Sequence, residues 1–153
     1  MDTPNPSPAP ESPQFDLLRF ASKFDFVVTE ALLPDLSVTT KFDAIQQLVA
    51  KLALAGAIPA DREAEIVAAV LHREELGTTA IGRGVAVPHA RHAAISRVVA
   101  TIGFSSAGID FDALDRNPVH LLVLVLSPLD AAAQNLRALQ QVVTELKTGE
   151  GWS

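Results

Sequence analysis

The stretch Val119-His120-Leu121-Leu122-Val123-Leu124-Val125-Leu126, bracketed by Pro118 and Pro128, decides the fold class. It is far too short to cross a bilayer. Its run of Val and Leu is nearly continuous where a half-solvated strand would alternate, so it predicts a strand covered on both faces. Two covered faces call for helices on both sides, and the surrounding sequence supplies them. Upstream, Thr40 followed by Asp43 resembles a capping box. Ile45, Leu48, Val49 and Leu52 then recur at helical spacing, and Gly56 is a natural stop. A second helix is expected from Asp61, after Pro59, with Glu63 and Glu65 near its positive end. Its apolar face is Ile66, Val67, Val70 and Leu71, and it ends near Leu76 and Gly77. Downstream, a last helix is expected from about Asp130, with Leu136, Leu139, Val143 and Leu146 on one face and Gly149 closing it. Residues 15–24 suit a short helix. Residues 36–39, 78–81, 84–87 and 97–104 suit further strands. The class is α/β, a three-layer α/β/α sandwich.

The 153 residues are the size of one ordinary domain, and no internal repeat is visible. A Pro-rich tail over residues 1–14 is expected to be disordered, with Pro4, Pro6, Pro8, Pro10 and Pro13 among residues that have little to bury. Residues 15–153 form the single expected domain. Hydrophobic residues make up 48% and charged residues 20%, enough for a packed core. Twelve Lys and Arg against eighteen Asp and Glu give a net charge of −6, which disfavours nucleic-acid binding for want of a concentrated basic face. With no cysteine, disulfides, thiolate metal sites and cysteine nucleophiles are excluded. The N-terminus has neither the basic segment nor the apolar stretch of a signal peptide, and no direct membrane insertion is expected. A cytoplasmic protein is the resulting expectation.

The reactive inventory is then four histidines plus hydroxyls and carboxylates. No G-x-S-x-G elbow, Walker A loop or G-x-G-x-x-G is present, and Gly82-Arg83-Gly84 is only a fragment of a glycine loop. His89 and His92 stand three apart, but Pro88 argues against a helix there and no third ligand stands out, so no metal is expected. His89 follows the apolar Gly84-Val85-Ala86-Val87-Pro88, which delivers it to a loop at a strand end, where open α/β sheets expose functional groups. Arg73 lies at the end of the second helix. A neutral imidazole near a guanidinium is a workable receiver for a phosphoryl group, provided one ring nitrogen is held so that the tautomer is fixed. An ordinary loop histidine and a cation on helix-dipole duty explain the same residues. Spacing alone leaves both readings open.

The stretch Arg73-Glu74-Glu75-Leu76-Gly77-Thr78-Thr79-Ala80-Ile81-Gly82-Arg83-Gly84-Val85-Ala86-Val87-Pro88-His89-Ala90-Arg91 resembles the signature of the IIA component of the bacterial phosphotransferase system, in its fructose, mannitol and nitrogen-regulatory branch. The signature reads approximately R-E-x-x-G-S-T-x-I-G-x-G-V-A-I-P-H. Ile109-Asp110-Phe111-Asp112-Ala113-Leu114-Asp115, then Asn117-Pro118-Val119 and the apolar strand, resemble the family's passage into its core, so the likeness runs over most of the folded part. It implies a mixed sheet between helices, no metal and no organic cofactor. It also implies that His89 accepts a phosphoryl group from phospho-HPr and passes it to a IIB component or uses it in regulation, with Arg73 as the electrostatic partner. Thr79 and Asn135 are expected to support the phosphate pocket.

Two departures from the family pattern bear on this. The family places a second histidine early in the helix after the core strand, and here Asn135, in Ala133-Gln134-Asn135-Leu136-Arg137-Ala138-Leu139, occupies that place. Asn donates a hydrogen bond but cannot become a cation. This keeps a second reading open, a phosphorylation-independent regulatory domain that binds partner proteins. His120 is not expected to compensate, because the strand, roughly 20 Å long at about 3.3 Å per residue, lies between them. His72 and His92 read as surface or loop residues. The family pattern also continues into a further helix, whereas this sequence closes on Lys147-Thr148-Gly149-Glu150-Gly151-Trp152-Ser153. Apolar surface that such a helix would have shielded favours self-association, so a homo-oligomer is a further expectation.

Overall fold

The structure is a computed structural model that describes residues 16–148. The Pro-rich tail and Trp152 lie outside the described residues. In chain order the elements are α1 (Leu17–Ala21), α2 (Lys41–Leu54), α3 (Glu63–Glu75), β1 (Ala80–Gly82), β2 (Val85–Ala86), β3 (His89–His92), β4 (Val99–Ile109), β5 (Val119–Pro128) and α4 (Ala132–Thr148). They form the expected α/β/α sandwich around a mixed sheet.

β5 is the centre of that sheet, antiparallel to β4 and parallel to both β2 and β3. Its alternate residues feed two cores. Leu122, Leu124 and Leu126 join Ile45, Leu48 and Leu52 of α2 and Ile66 and Val70 of α3. Leu121, Val123 and Val125 join Phe20 and Ala21 of α1 and Ala138, Val142 and Leu146 of α4. All six strand residues are fully buried, which is why the sequence shows an apolar run and no alternation.

The helices begin and end for local reasons. The Thr40 hydroxyl accepts from the Asp43 N–H at 3.1 Å, capping α2. Gly56, at φ +81°, ends the turn after it with the Ala57 N–H on the Leu52 carbonyl. α3 starts at Glu63, two residues later than expected, because residues 60–62 form a single 3₁₀ turn first. Asp16 caps α1 through the Arg19 N–H.

Three expectations are corrected. Residues 36–39 are not a strand: Leu36 still bonds to β4, but the chain then leaves it to reach the Thr40 cap of α2. The edge of β4 is covered instead by residues 26–36, through bridges at Val27 and Leu33 and the Leu36 N–H on the Phe104 carbonyl. β4 runs on to Ile109, past an irregularity after Phe104. The inner face of α4 is Ala138, Val142 and Leu146, with Leu136 55% exposed. Small Ala138 allows close approach to the sheet, so the helix is turned by about one residue from the leucine stripe. That turn carries Asn135 to the inner line of the helix.

Gly108, at φ +90°, closes the irregular part of β4. A Cβ there would stand 2.8 Å from Pro118 Cβ. Gly108→Ala is therefore expected to cost about 2 kcal/mol, from the positive φ and the clash together. Urea unfolding checks this, and a loss under 0.5 kcal/mol would contradict it.

Candidate functional site

β2 and β3 lie in one register along β5. Val85 faces Leu121, Ala86 faces Leu122, and after Val87-Pro88 the pairing resumes with His89 opposite Val125. The two strands are thus one strand broken at a proline, which has no N–H to give its neighbour. The Pro88 carbonyl still accepts from the Val125 N–H at 3.0 Å, and the Val87 N–H donates to the Thr79 carbonyl at 3.0 Å. His89 is therefore the first residue of a strand and not a residue of the expected loop. The Gly82-Arg83-Gly84 fragment is the turn between β1 and β2. Its Arg83 N–H is held by the Asp115 carboxylate at 3.0 Å, a bond that also keeps that carboxylate below its usual pKa.

The break leaves the Val87 carbonyl available, and the His89 ring takes it: Nδ1 stands 2.9 Å from that oxygen. A carbonyl only accepts, so Nδ1 carries the hydrogen and Nε2 keeps its lone pair. Burial pushes the imidazole below its usual pKa. The bond to Val87 acts upward, the Arg73 charge downward and Glu74 upward, each more weakly in that order. With its pKa held below 6.5, the half-buried ring is mostly neutral at pH 7 and its lone pair lies on Nε2.

The sign of the resulting pH effect follows. Above pH 6.5 the ring is neutral folded and unfolded. Below it the unfolded chain takes up a proton first, so His89 costs stability as pH falls from 6.5 toward the depressed native value. A ring-proton NMR titration is expected to place the native midpoint below 6.5. A midpoint above that value overturns the assignment of burial as the controlling influence.

Arg73, in the last turn of α3, donates from Nη1 to the Gly77 carbonyl at 2.9 Å. Its charge reaches His89. The next residue is Glu74, 5% exposed, and sequence reasoning missed it. Its Oε2 accepts from the Thr79 N–H at 2.9 Å and from Lys41 Nζ at 3.2 Å, and its Oε1 accepts from the Thr79 hydroxyl at 2.6 Å. The Thr79 side chain is thus committed to Glu74, and its link to His89 runs through its carbonyl and Val87. A signal was present: Glu74 stands four residues after Val70, on the stripe that the periodicity marks as buried. Lys41 also meets Asp112 at 3.3 Å and lies over the Phe111 ring, 5.0 Å from its centroid.

Asn135 comes to the α4-facing side of the sheet, where it accepts from the Ser127 hydroxyl at 2.9 Å. His89 and Arg91 project toward that same side, since alternate strand residues share a face and Val125, opposite His89, belongs to the α4 core. Arg91 donates to the Leu129 carbonyl at 2.7 Å. His120 is remote from this group, its Nδ1 on the Ser105 carbonyl at 2.8 Å. His92 Nδ1 accepts from the Ala94 N–H, which turns Nε2 toward Glu65 at 3.5 Å. Among the described residues no three His, Asp or Glu side chains are grouped to hold a metal, and no helix is long and apolar enough to cross a membrane.

The fold defines the class, a three-layer α/β/α protein of the phosphotransferase IIA kind. The nitrogen regulatory protein IIA-Ntr of Neisseria meningitidis superposes with a TM-score of 0.73 at 25% identity, over 82% of this chain and 84% of that one. The family model described as phosphoenolpyruvate-dependent sugar phosphotransferase system, EIIA 2, matches residues 26–150, and the chain belongs to that family. It is 37% identical over 123 residues to a nitrogen regulatory protein of Bradyrhizobium diazoefficiens, covering 80% of this chain and 78% of the relative. It is 36% identical over 107 residues to a fructose-specific EIIA component of Haloferax volcanii, covering 70% and 68%. A phosphotransferase-type or regulatory role follows from that membership.

Proposed function

We propose that this protein is a phosphohistidine carrier, with His89 Nε2 as the acceptor. The lone pair on Nε2 attacks the phosphorus of phospho-HPr. The new P–N bond forms as the P–N bond of the donor breaks, and the departing electron pair returns to the donor imidazole. Nδ1–H stays on the Val87 carbonyl, whose dipole stabilises the positive charge that the ring gains when Nε2 is phosphorylated. Arg73 attracts the transferring oxygens. The onward acceptor is a IIB component or a regulatory target protein. The observation that carries this reading is the locked tautomer, which presents a neutral, half-buried Nε2.

One observation favours a second reading. Asn135 stands where the family has its second histidine, so the site has one imidazole where relatives have two. A domain that binds regulatory partners without phosphorylation fits that change. Incubation with phosphoenolpyruvate, enzyme I and HPr, followed by intact mass measurement, separates the two. Gain of one acid-labile phosphoryl group is expected. No gain, with HPr phosphorylated in the same tube, would favour the phosphorylation-independent domain.

A further inference from the structure

Ser127 is a polar side chain in the least polar part of the molecule. It is fully buried near the end of β5, following six consecutive fully buried aliphatic residues. A buried hydroxyl without a partner is costly, and alanine would fill much the same space. Among the described residues the hydroxyl has one partner, Asn135 Oδ1 at 2.9 Å. An amide oxygen only accepts, so the serine must donate.

That donation sets the polarity of the Asn135 side chain. With Oδ1 turned down onto Ser127, the Nδ2 group is turned away from β5, and among the described residues no protein group accepts from it. Asn135 is half-buried on the inner line of α4. The sheet register places Ser127 two residues along from Val125, the partner of His89, on the same face. The amide therefore presents two N–H donors, and no lone pair, on the side of the sheet from which His89 projects.

We infer that Ser127 is a positioning residue: it holds the Asn135 amide so that Nδ2 donates to a phosphoryl oxygen carried on His89 Nε2. This rests on the phosphocarrier reading for its purpose, but its test does not depend on any carrier protein. A free asparagine offers oxygen and nitrogen equally, and its oxygen would face the anion unfavourably. The buried Ser127 hydroxyl has no other acceptor for its hydrogen among the described residues, so a reversed amide would leave that hydrogen unpaired; the serine thereby favours Oδ1 inward and gives a neutral donor where the family pattern has an imidazole.

The test loads the full-length chain with phosphoramidate, which phosphorylates histidine chemically, and follows two readouts. The first is the Asn135 side-chain amide signal in a ¹H–¹⁵N spectrum. It is expected to move downfield on phosphorylation in the wild type and in Ser127→Thr, and to stay in place in Ser127→Ala. The second is the lifetime of the phosphohistidine, expected to fall about fivefold in Ser127→Ala and in Asn135→Ala, the weight of one hydrogen bond. The double variant is expected to be no worse than either single one, because both changes remove the same bond. An unmoved wild-type amide signal, a wild-type lifetime in Ser127→Ala, or additive losses in the double variant would overturn the inference. So would failure of phosphoramidate to modify His89. Loading by phosphoramidate with the amide shift present, but none by phospho-HPr, would retain this inference and overturn the carrier reading.

Discussion

His89→Ala is expected to abolish acid-labile labelling from phospho-HPr completely, with the fold retained. Each remaining histidine lacks some part of the arrangement. His120 is tied to the Ser105 carbonyl at the other end of β5. His92 has Nδ1 on the Ala94 N–H and Nε2 toward Glu65. His72 is exposed on α3, 4.0 Å from Glu75. None combines a ring nitrogen donating to a strand carbonyl with burial and a nearby guanidinium. The structural cost of the change is small. The ring is half-buried and makes one hydrogen bond among the described residues, so a loss of about 1 kcal/mol is expected, visible as a modest shift in thermal midpoint. Labelling of the variant at the wild-type level would overturn the assignment of His89. Loss of labelling together with loss of the folded state would send the test to His89→Gln, which keeps a side chain of similar reach.

The largest effect on stability is expected at Glu74. Its carboxylate is 5% exposed and takes three hydrogen bonds, from the Thr79 N–H, the Thr79 hydroxyl and Lys41. Glu74→Ala leaves all three donors without that acceptor, one of them a Lys41 ammonium whose side chain is only 20% exposed. Removing one partner of a buried ion pair typically costs about 3–5 kcal/mol. The lower end, about 3 kcal/mol, is expected here, because Lys41 keeps Asp112 and the Phe111 ring. Glu74→Gln, which keeps the shape and one acceptor oxygen, is expected to lose roughly half as much. Equilibrium urea unfolding of both variants decides the point, and a Glu74→Ala loss under 1 kcal/mol would contradict the account. Glu74 also holds Thr79, whose carbonyl anchors Val87. The variant that still folds is therefore expected to show a broadened His89 ring signal, which an isolated loss of stability would leave sharp.

Much of the architecture was legible along the chain. The two-sided apolar run at residues 119–126 called for helices on both faces, and the Thr40 cap, Gly56 and the spacing of Ile45, Leu48 and Leu52 placed α2 within a residue or two. These readings succeed because periodicity, capping and turn chemistry act over a few residues. Family membership was legible for the same reason, through one long contiguous motif ending at Pro88 and His89. The α4 stripe misled because leucines outweigh alanine in any count of apolar residues, while close packing on a sheet favours the smaller side chain. Residues 36–39 misled because a strand needs a partner edge, and β4 had already paired with the chain before them.

The sequence by itself determined the sandwich, the strand leading to His89 and the substitution of Asn135, since each is written in residues that neighbour one another or repeat at a local period. Only the tertiary structure decided that β2 and β3 are a single strand broken at Pro88, that the freed Val87 carbonyl fixes the His89 tautomer, and that Glu74 is buried against Lys41. It alone joined Ser127 to Asn135. The reason is physical: a hydrogen bond's partner is set by which groups packing brings within about 3 Å. Lys41 and Glu74, thirty-three positions apart along the chain, carry no local pattern that announces their meeting.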